Sequence, residues 1–486
     1  MGQGPSRVER GSAGAWSWYG TGMARGKIRA SGALALFATL LLTLLAGCAL
    51  PPLPLPDTVP AQRCVAQRQG TLGAGGGVIV PLTALDPTSA HHTSALYGVR
   101  ASNGAIAWSC ASTTYAGWGD AQVYNGVLYA IAGTEPTKDA PARTHVHAIY
   151  AIRPYDGAQI WSYSFRAGTT SRLTFDGGMI FVSAISTDGA SSHSNLYAIH
   201  AATGALAWEA SFSDAIGQPI IVSHRILAPS AASVTSAGQT LLAIDESDGS
   251  TTWSASLPTK GSPVAWLVQG SALYLSDGSA LIAVDGATGA IRWTQQAVDS
   301  VTSSLFSAQG AILFSARMSV LAFDAKTGAL RWSAVVGAAP QLVAVRDQVA
   351  YAVTQGPDGA LDTLFALDAS SGDVLWQRDA ASASAITPGQ SGDAYLVSVA
   401  GTMKLGSVVA LDPHGRARWI YNGSSPFPAG ALISTSAALY YVWQDSPSAD
   451  TQATYITCLR PTDGAALWTT ALPALNAYAL PPLLAS

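Results

Sequence analysis

Nine times beyond residue 75 a glycine is followed four residues later by a tryptophan: Gly104/Trp108, Gly157/Trp161, Gly204/Trp208, Gly249/Trp253, Gly289/Trp293, Gly328/Trp332, Gly372/Trp376, Gly415/Trp419 and Gly464/Trp468. Successive tryptophans of the set lie 39 to 53 residues apart. A unit of that length is one supersecondary element, which buries its apolar faces only against copies of itself. Of the readings that 486 residues permit, three ordinary domains or one repetitive body, the repeat favours the second over residues 75–486.

The unit is legible in its best copies, Leu281-Ile282-Ala283-Val284-Asp285-Gly286-Ala287-Thr288-Gly289-Ala290-Ile291-Arg292-Trp293 and the run from Val320 to Trp332. Each reads as strand, turn, strand. The apolar run suits a strand buried on both faces, Asp and its polar successors suit a tight turn, and Gly supplies a positive φ. Upstream lie two more short apolar runs, such as 262–268 and Ala272-Leu273-Tyr274-Leu275, which makes four strands per unit. Four-stranded units at this spacing define an all-β propeller.

The pattern apolar-Ala-apolar-Asp-x-x-(Thr/Asp)-Gly-x-x-x-Trp resembles the PQQ-like propeller repeat, shared by quinoprotein dehydrogenases and by barrel-assembly lipoproteins of the BamB type. The sequence departs from it where Arg100, Arg153, His200 and Arg460 replace the Asp, and where the turn before Trp419 is one residue shorter. The resemblance implies that the nine tryptophans are structural, each wedged between adjacent blades. It also implies seven or eight blades against the nine motifs counted, so eight is the expected number, with nine open. A surplus run, Tyr478 to Leu484, is expected to supply the innermost strand of the first blade and close the ring.

Ahead of the repeat, Met23 opens a stretch with Arg25, Lys27 and Arg29, followed by an uncharged apolar run from Ala33 to Gly47. That run is short of the ~20 residues of a spanning helix and reads as an export signal. Met23 is a candidate start of translation in place of Met1. Leu45-Ala46-Gly47-Cys48 resembles the lipobox of bacterial lipoproteins, which implies removal of residues 1–47 and acylation, including palmitate, of Cys48. Residues 48–74 begin with Pro51, Pro52, Pro54, Pro56 and Pro60, a density that favours extended polyproline and reads as a spacer between bilayer and propeller. The expected location is the bacterial envelope, on the outer side of the cytoplasmic membrane or at the outer membrane.

Three further cysteines, Cys64, Cys110 and Cys458, allow a Cys110–Cys458 bridge across the closure, a Cys64–Cys110 bridge, or three buried thiols. The formal charge of -4, with only 11% charged residues, gives no footprint for nucleic acid.

Connections between second and third strands lengthen at 133–145, 186–195, 229–239, 355–363 and 444–454, while those near Trp293 and Trp332 stay short. Elaboration on one side of a repeat scaffold marks a binding side. His91, His92, His145, His147 and His193 fall in or beside these segments, with no Cys or carboxylate set to complete a metal site. No Gly-x-Ser-x-Gly elbow, P-loop, dinucleotide fingerprint or His-Glu-x-x-His motif occurs. Asp245, Asp285, Asp324, Asp368 and Asp412 recur at one repeat position and read as turn caps rather than catalysts. The expectation is a non-catalytic, membrane-tethered propeller that binds a protein or peptide, with no catalytic, metal or cofactor residues assigned. The alternative is a sensor or oxidoreductase dependent on PQQ and Ca2+ or on another ligand.

Overall fold

The computed structural model describes residues 70–486, apart from 85–93, 113–116, 134–145, 189–190, 232–238, 260–264, 297–303, 338–339, 356–360, 381–382, 390–392, 400–405, 424–426, 449–450, 476, 480 and 486. The leader, Cys48, the proline-rich stretch and Cys64 lie outside the described residues. All regular structure among the described residues is β. The strands form nine antiparallel sheets, called here blades 1 to 9 in chain order, with strands A to D running from the innermost outward. Blade 5, for example, is Ala265–Gln269, Ala272–Ser276, Ala280–Asp285 and Ile291–Gln296. The number of blades is therefore the motif count, the upper end of the expected range, and not eight. Each Gly–Trp motif carries the C–D turn of one sheet, so the two counts cannot differ.

The ring is closed. Strand B of blade 1, Gly77–Ala84, pairs on its inner side with two C-terminal pieces, Ala477–Ala479 and Leu483–Ala485, in the registers Leu82↔Ala479 and Ile79↔Leu483. Pro481 and Pro482 separate the pieces, because a proline has no N–H to give to a ladder. Apolar clusters then join each blade to the next around the ring. The joint between last and first packs Val78, Val80, Leu82 and Tyr97 against Tyr440, Val442, Ile456 and Cys458.

The Gly–Trp motif makes the seams. Each indole lies over the motif glycine of the following blade, where an added Cβ would sit 2.4–2.7 Å from the ring. In chain order Trp108 covers Gly157, Trp161 covers Gly204, Trp208 covers Gly249, Trp253 covers Gly289 and Trp293 covers Gly328. Trp332 then covers Gly372, Trp376 covers Gly415, Trp419 covers Gly464 and, across the closure, Trp468 covers Gly104. These glycines hold φ between +70° and +79°, so the turn also disfavours a side chain.

Each indole Nε1 donates to a backbone carbonyl of that same turn. Trp108 reaches Pro154 (2.7 Å), Trp161 reaches Ala201 (2.9 Å), Trp376 reaches Pro413 (2.8 Å) and Trp468 reaches Ala101 (2.9 Å). The wedge expected of all nine is nonetheless uneven. Trp108 and Trp419 are buried, whereas Trp161, Trp208, Trp253, Trp293, Trp332, Trp376 and Trp468 are half-buried. A D strand is the outermost of its blade, so an indole on it fills the seam from the rim and leaves part of the ring in contact with solvent. On its own sheet each tryptophan sits opposite a small residue on strand C, Ala in seven blades, Gly98 in blade 1 and Cys458 in blade 9. The alanine of the repeat is thus the floor under the ring.

The repeated aspartates cap the C–D turns. Asp285 Oδ1 accepts from the backbone of Ala287 and Thr288, and Asp324 Oδ1 from Lys326 and Thr327. Where the motif Asp is replaced by Arg153 or Arg460, an aspartate three residues on, Asp156 or Asp463, caps Ala158 or Ala465 instead and pairs with the arginine. Hydrogen bonding by Arg292 holds the Asp285 carboxyl at about 2. A depressed carboxyl contributes its stability in full above the ordinary 3.8 and loses it as pH falls toward about 2. Asp285→Ala should therefore melt below the parent at pH 7, and thermal unfolding at pH 2 should show the gap narrowed. A gap as wide at pH 2 as at pH 7 would mean that the carboxylate's charge contributes nothing.

Candidate functional site: the ribbon side of the ring

The seams fix all C–D turns at one level, so any extra strand length must emerge on the opposite side, where the B–C connections lie. In blade 6 strands B and C are six residues each, Ala311–Ala316 and Ser319–Asp324, joined by a tight turn. In blade 3 they are Met179–Asp188 and Ser191–His200, ten residues each, paired without a break out to Asp188↔Ser191. Blade 9 comes close to this with Leu439–Ser448, ten residues, and Thr451–Leu459, nine, paired out to Ser448↔Thr451 across one register shift between Asp445 and Ser448. Four extra residues per strand add about 13 Å. Segments 186–195 and 444–454, read from the sequence as lengthened loops, are thus mainly extensions of the strands themselves. The two ribbons flank blades 1 and 2, whose own B–C connections, 85–93 and 134–145, lie outside the described residues.

Aromatic stacks stiffen the roots of both ribbons. In blade 9 Trp443 stacks on Tyr455 at 4.3 Å and 12°, and its Nε1 donates to Thr457 Oγ1 (2.9 Å). Trp443 is buried, so this pair braces the ribbon rather than presenting a contact. In blade 3 Tyr197 packs on Phe165 at 5.0 Å, and Phe165 stacks on His147 from strand C of blade 2. His193 is exposed on the blade 3 ribbon opposite Ser186. His91, His92 and His145 lie outside the described residues.

Cys110 is disulfide-bonded, and its partner lies outside the described residues. Cys458 is a free thiol, 1% exposed, so neither the bridge across the closure nor a set of three free thiols is formed. Burial pushes this thiol up to about 11, and its place opposite Trp468 is the alanine position of the other blades. It is a small hydrophobe there.

The other side of the ring holds the one group of three His, Cys, Asp or Glu side chains, among the described residues, that lies close enough to bind a metal ion: Asp176, His224 and Glu246, at the seam of blades 3 and 4. Burial, followed by the neighbouring Asp176 carboxylate, pushes the Glu246 carboxyl up to about 7. Asp176 accepts at 2.8 Å from the His224 ring and holds the exposed imidazole above its ordinary value. Sequence reading misses this set, since its members are far apart along the chain.

Comparison with known families bears on what such a ring is for. The family described as outer membrane protein assembly factor BamB matches in four overlapping segments, residues 92–230, 146–265, 237–361 and 358–479. The chain belongs to the BamB family. Among solved structures, BamB from Moraxella catarrhalis is similar at 16% identity, covering 66% of this chain and 92% of that one, with a TM-score of 0.43. A europium-containing methanol dehydrogenase is similar at 13% identity, over 73% of this chain and 78% of that one, with a TM-score of 0.41. A quinohemoprotein alcohol dehydrogenase from Comamonas testosteroni is similar at 15% identity, over 73% and 67%, with a TM-score of 0.42. Comparison with curated protein sequences gave no match.

Proposed function

We propose that this BamB-family chain is a non-catalytic, membrane-tethered scaffold at the bacterial envelope, holding a protein partner of outer membrane protein assembly on the ribbon side between blades 3 and 9. The observation that carries the reading is the pair of braced ribbons, built of strands nine or ten residues long, on the side of the ring opposite the tight C–D turns. Stiff projections lose little freedom on binding, and that lowers the cost of association. The BamB family match supports the class of partner.

The test is site-specific photocrosslinking in cells from position 193, on the blade 3 ribbon, and from Met318, which is exposed at the short B–C turn of blade 6. An adduct with an outer membrane assembly component is expected from 193 and not from 318. Equal adducts from both positions, or from neither, would remove the ribbon side from the argument.

The tether gives a separate prediction. A lipobox offers one acceptor, so Cys48→Ser should move the protein from the membrane fraction to the soluble fraction or leave its leader uncleaved. Undiminished membrane retention together with normal processing would rule out lipid anchoring through Cys48.

A further inference from the structure

The repeat provides its own internal control. At the C–D turn position directly after the motif Asp or its substitute, eight blades carry Ala, Pro or Gly. Blade 4 carries Glu246, with its carbonyl held by Trp208 Nε1 at 2.7 Å. The seam requires nothing of that side chain, as the other blades demonstrate, and enclosing even one oxygen of a half-buried carboxyl without a partner is costly. Glu246 Oε1 nevertheless exposes less than 1 Å² and accepts no hydrogen bond.

Two more donors converge on it from separate turns. Asp176 ends the inner strand of blade 3 just before its A–B turn, Gly177-Gly178. His224 is the second central residue of the A–B turn of blade 4, between Val222 and Arg225, which exchange both backbone hydrogen bonds. Its φ is +57°, where blades 2 and 6 place Gly126 and Gly310 in the corresponding turns. The ligand atoms of Asp176, His224 and Glu246 all lie within 4.8 Å of one another.

We propose that Asp176, His224 and Glu246 form a binding site for one divalent transition-metal ion, of the zinc class, bridging the seam between blades 3 and 4. One imidazole nitrogen and two carboxylates are a donor set that zinc accepts with metal to ligand distances of about 2.0–2.2 Å, within reach of side-chain adjustment here. Calcium suits the site poorly, because it takes six to eight oxygens and no nitrogen. The ion would give the buried Oε1 its missing partner and offset the repulsion between the two carboxylates. The His224 side chain, 84% exposed, leaves a path for the ion and room for water in the remaining coordination position.

The site stands apart from partner binding on the ribbon side. Its test is calorimetric titration of the full chain, stripped with a chelator, with ZnCl2 and in parallel with CaCl2. One Zn2+ per chain is expected, with Zn2+ raising the melting temperature. Glu246→Gln and His224→Ala should each weaken binding by at least about tenfold and abolish the thermal shift. Because His224 is so exposed, His224→Ala keeps the test decisive should Glu246→Gln fail to fold. No Zn2+ binding, Zn2+ binding that both variants retain, or Ca2+ binding as tight as Zn2+ would each overturn the assignment.

Discussion

A chain ending at Asn476 should lose its ring, melting far below the full chain and aggregating on purification. The ten residues removed include both pieces that pair with Gly77–Ala84, so their loss strips the inner edge of strand B in blade 1 of its backbone partners. It also takes Leu483 and Ala485 out of the cluster that packs blade 1 on blade 2. An opened sheet edge beside freshly exposed apolar surface is a template for association with other chains. In an open array, end units depend only on one neighbour, whereas in a closed ring each blade is held from both sides. Removing a frayed tail of similar length is normally tolerated. Thermal unfolding and solubility, measured beside the full chain, decide between them. Equal melting temperatures and equal solubility would mean that the strands of blade 1 hold without the C-terminal clasp.

The same closure shows what a repeat makes legible and what it hides. Within residues 75–486 each Gly–Trp spacing specifies a C–D turn, and the swapped inner strand of blade 1 changes no such turn. Nine motifs therefore mean nine blades, and lowering that number to eight on a family resemblance discards the stronger observation. The second role of the glycines cannot be read from spacing. Gly157 needs a bare Cα because Trp108, from the blade before, lies over it. Neighbours of that kind belong to different repeats and are brought together only by stacking. For the same reason the spacing treats Trp161 and Trp376 as equals of Trp108, although both are half-buried and Trp108 is enclosed. The alanine opposite each tryptophan is visible as a consensus residue without its reason, and Cys458, which the sequence offers as a disulfide partner, fills that same position.

The Asp176, His224 and Glu246 set escapes for a related cause. Its members come from three turns across one seam, and no linear spacing links them. A signal is nonetheless present: aligning the nine copies position by position isolates Glu246 as the single ionisable residue in a column of Ala, Pro and Gly. The ribbons are half legible. Residues 186–195 and 444–454 stand out by length, but alternation too weak to separate strand from loop leaves them as connections.

Trp108→Ala should be the most damaging of the nine seam substitutions. Its indole is wholly buried, whereas Trp253 at the seam of blades 4 and 5 is only partly so. Trp108 is enclosed on two sides: Gly98 of its own sheet leaves room for the ring where other blades have Ala or Cys, and Gly157 of blade 2 covers its opposite edge. Truncation empties a space that neither glycine can fill, and it leaves the Pro154 carbonyl without its donor at 2.7 Å. Large-to-small changes of a buried tryptophan cost about 3–5 kcal/mol through lost transfer energy and the cavity left behind. The orphaned buried carbonyl adds about 1–3 kcal/mol unless water reaches it. Trp253→Ala should cost less, since solvent already wets part of that ring and can follow into the gap. Denaturant unfolding of the two variants beside the parent gives the comparison. A cost for Trp108→Ala no greater than that for Trp253→Ala would show that the seams are held chiefly by the sheet faces, and that the enclosure by Gly98 and Gly157 adds nothing to stability.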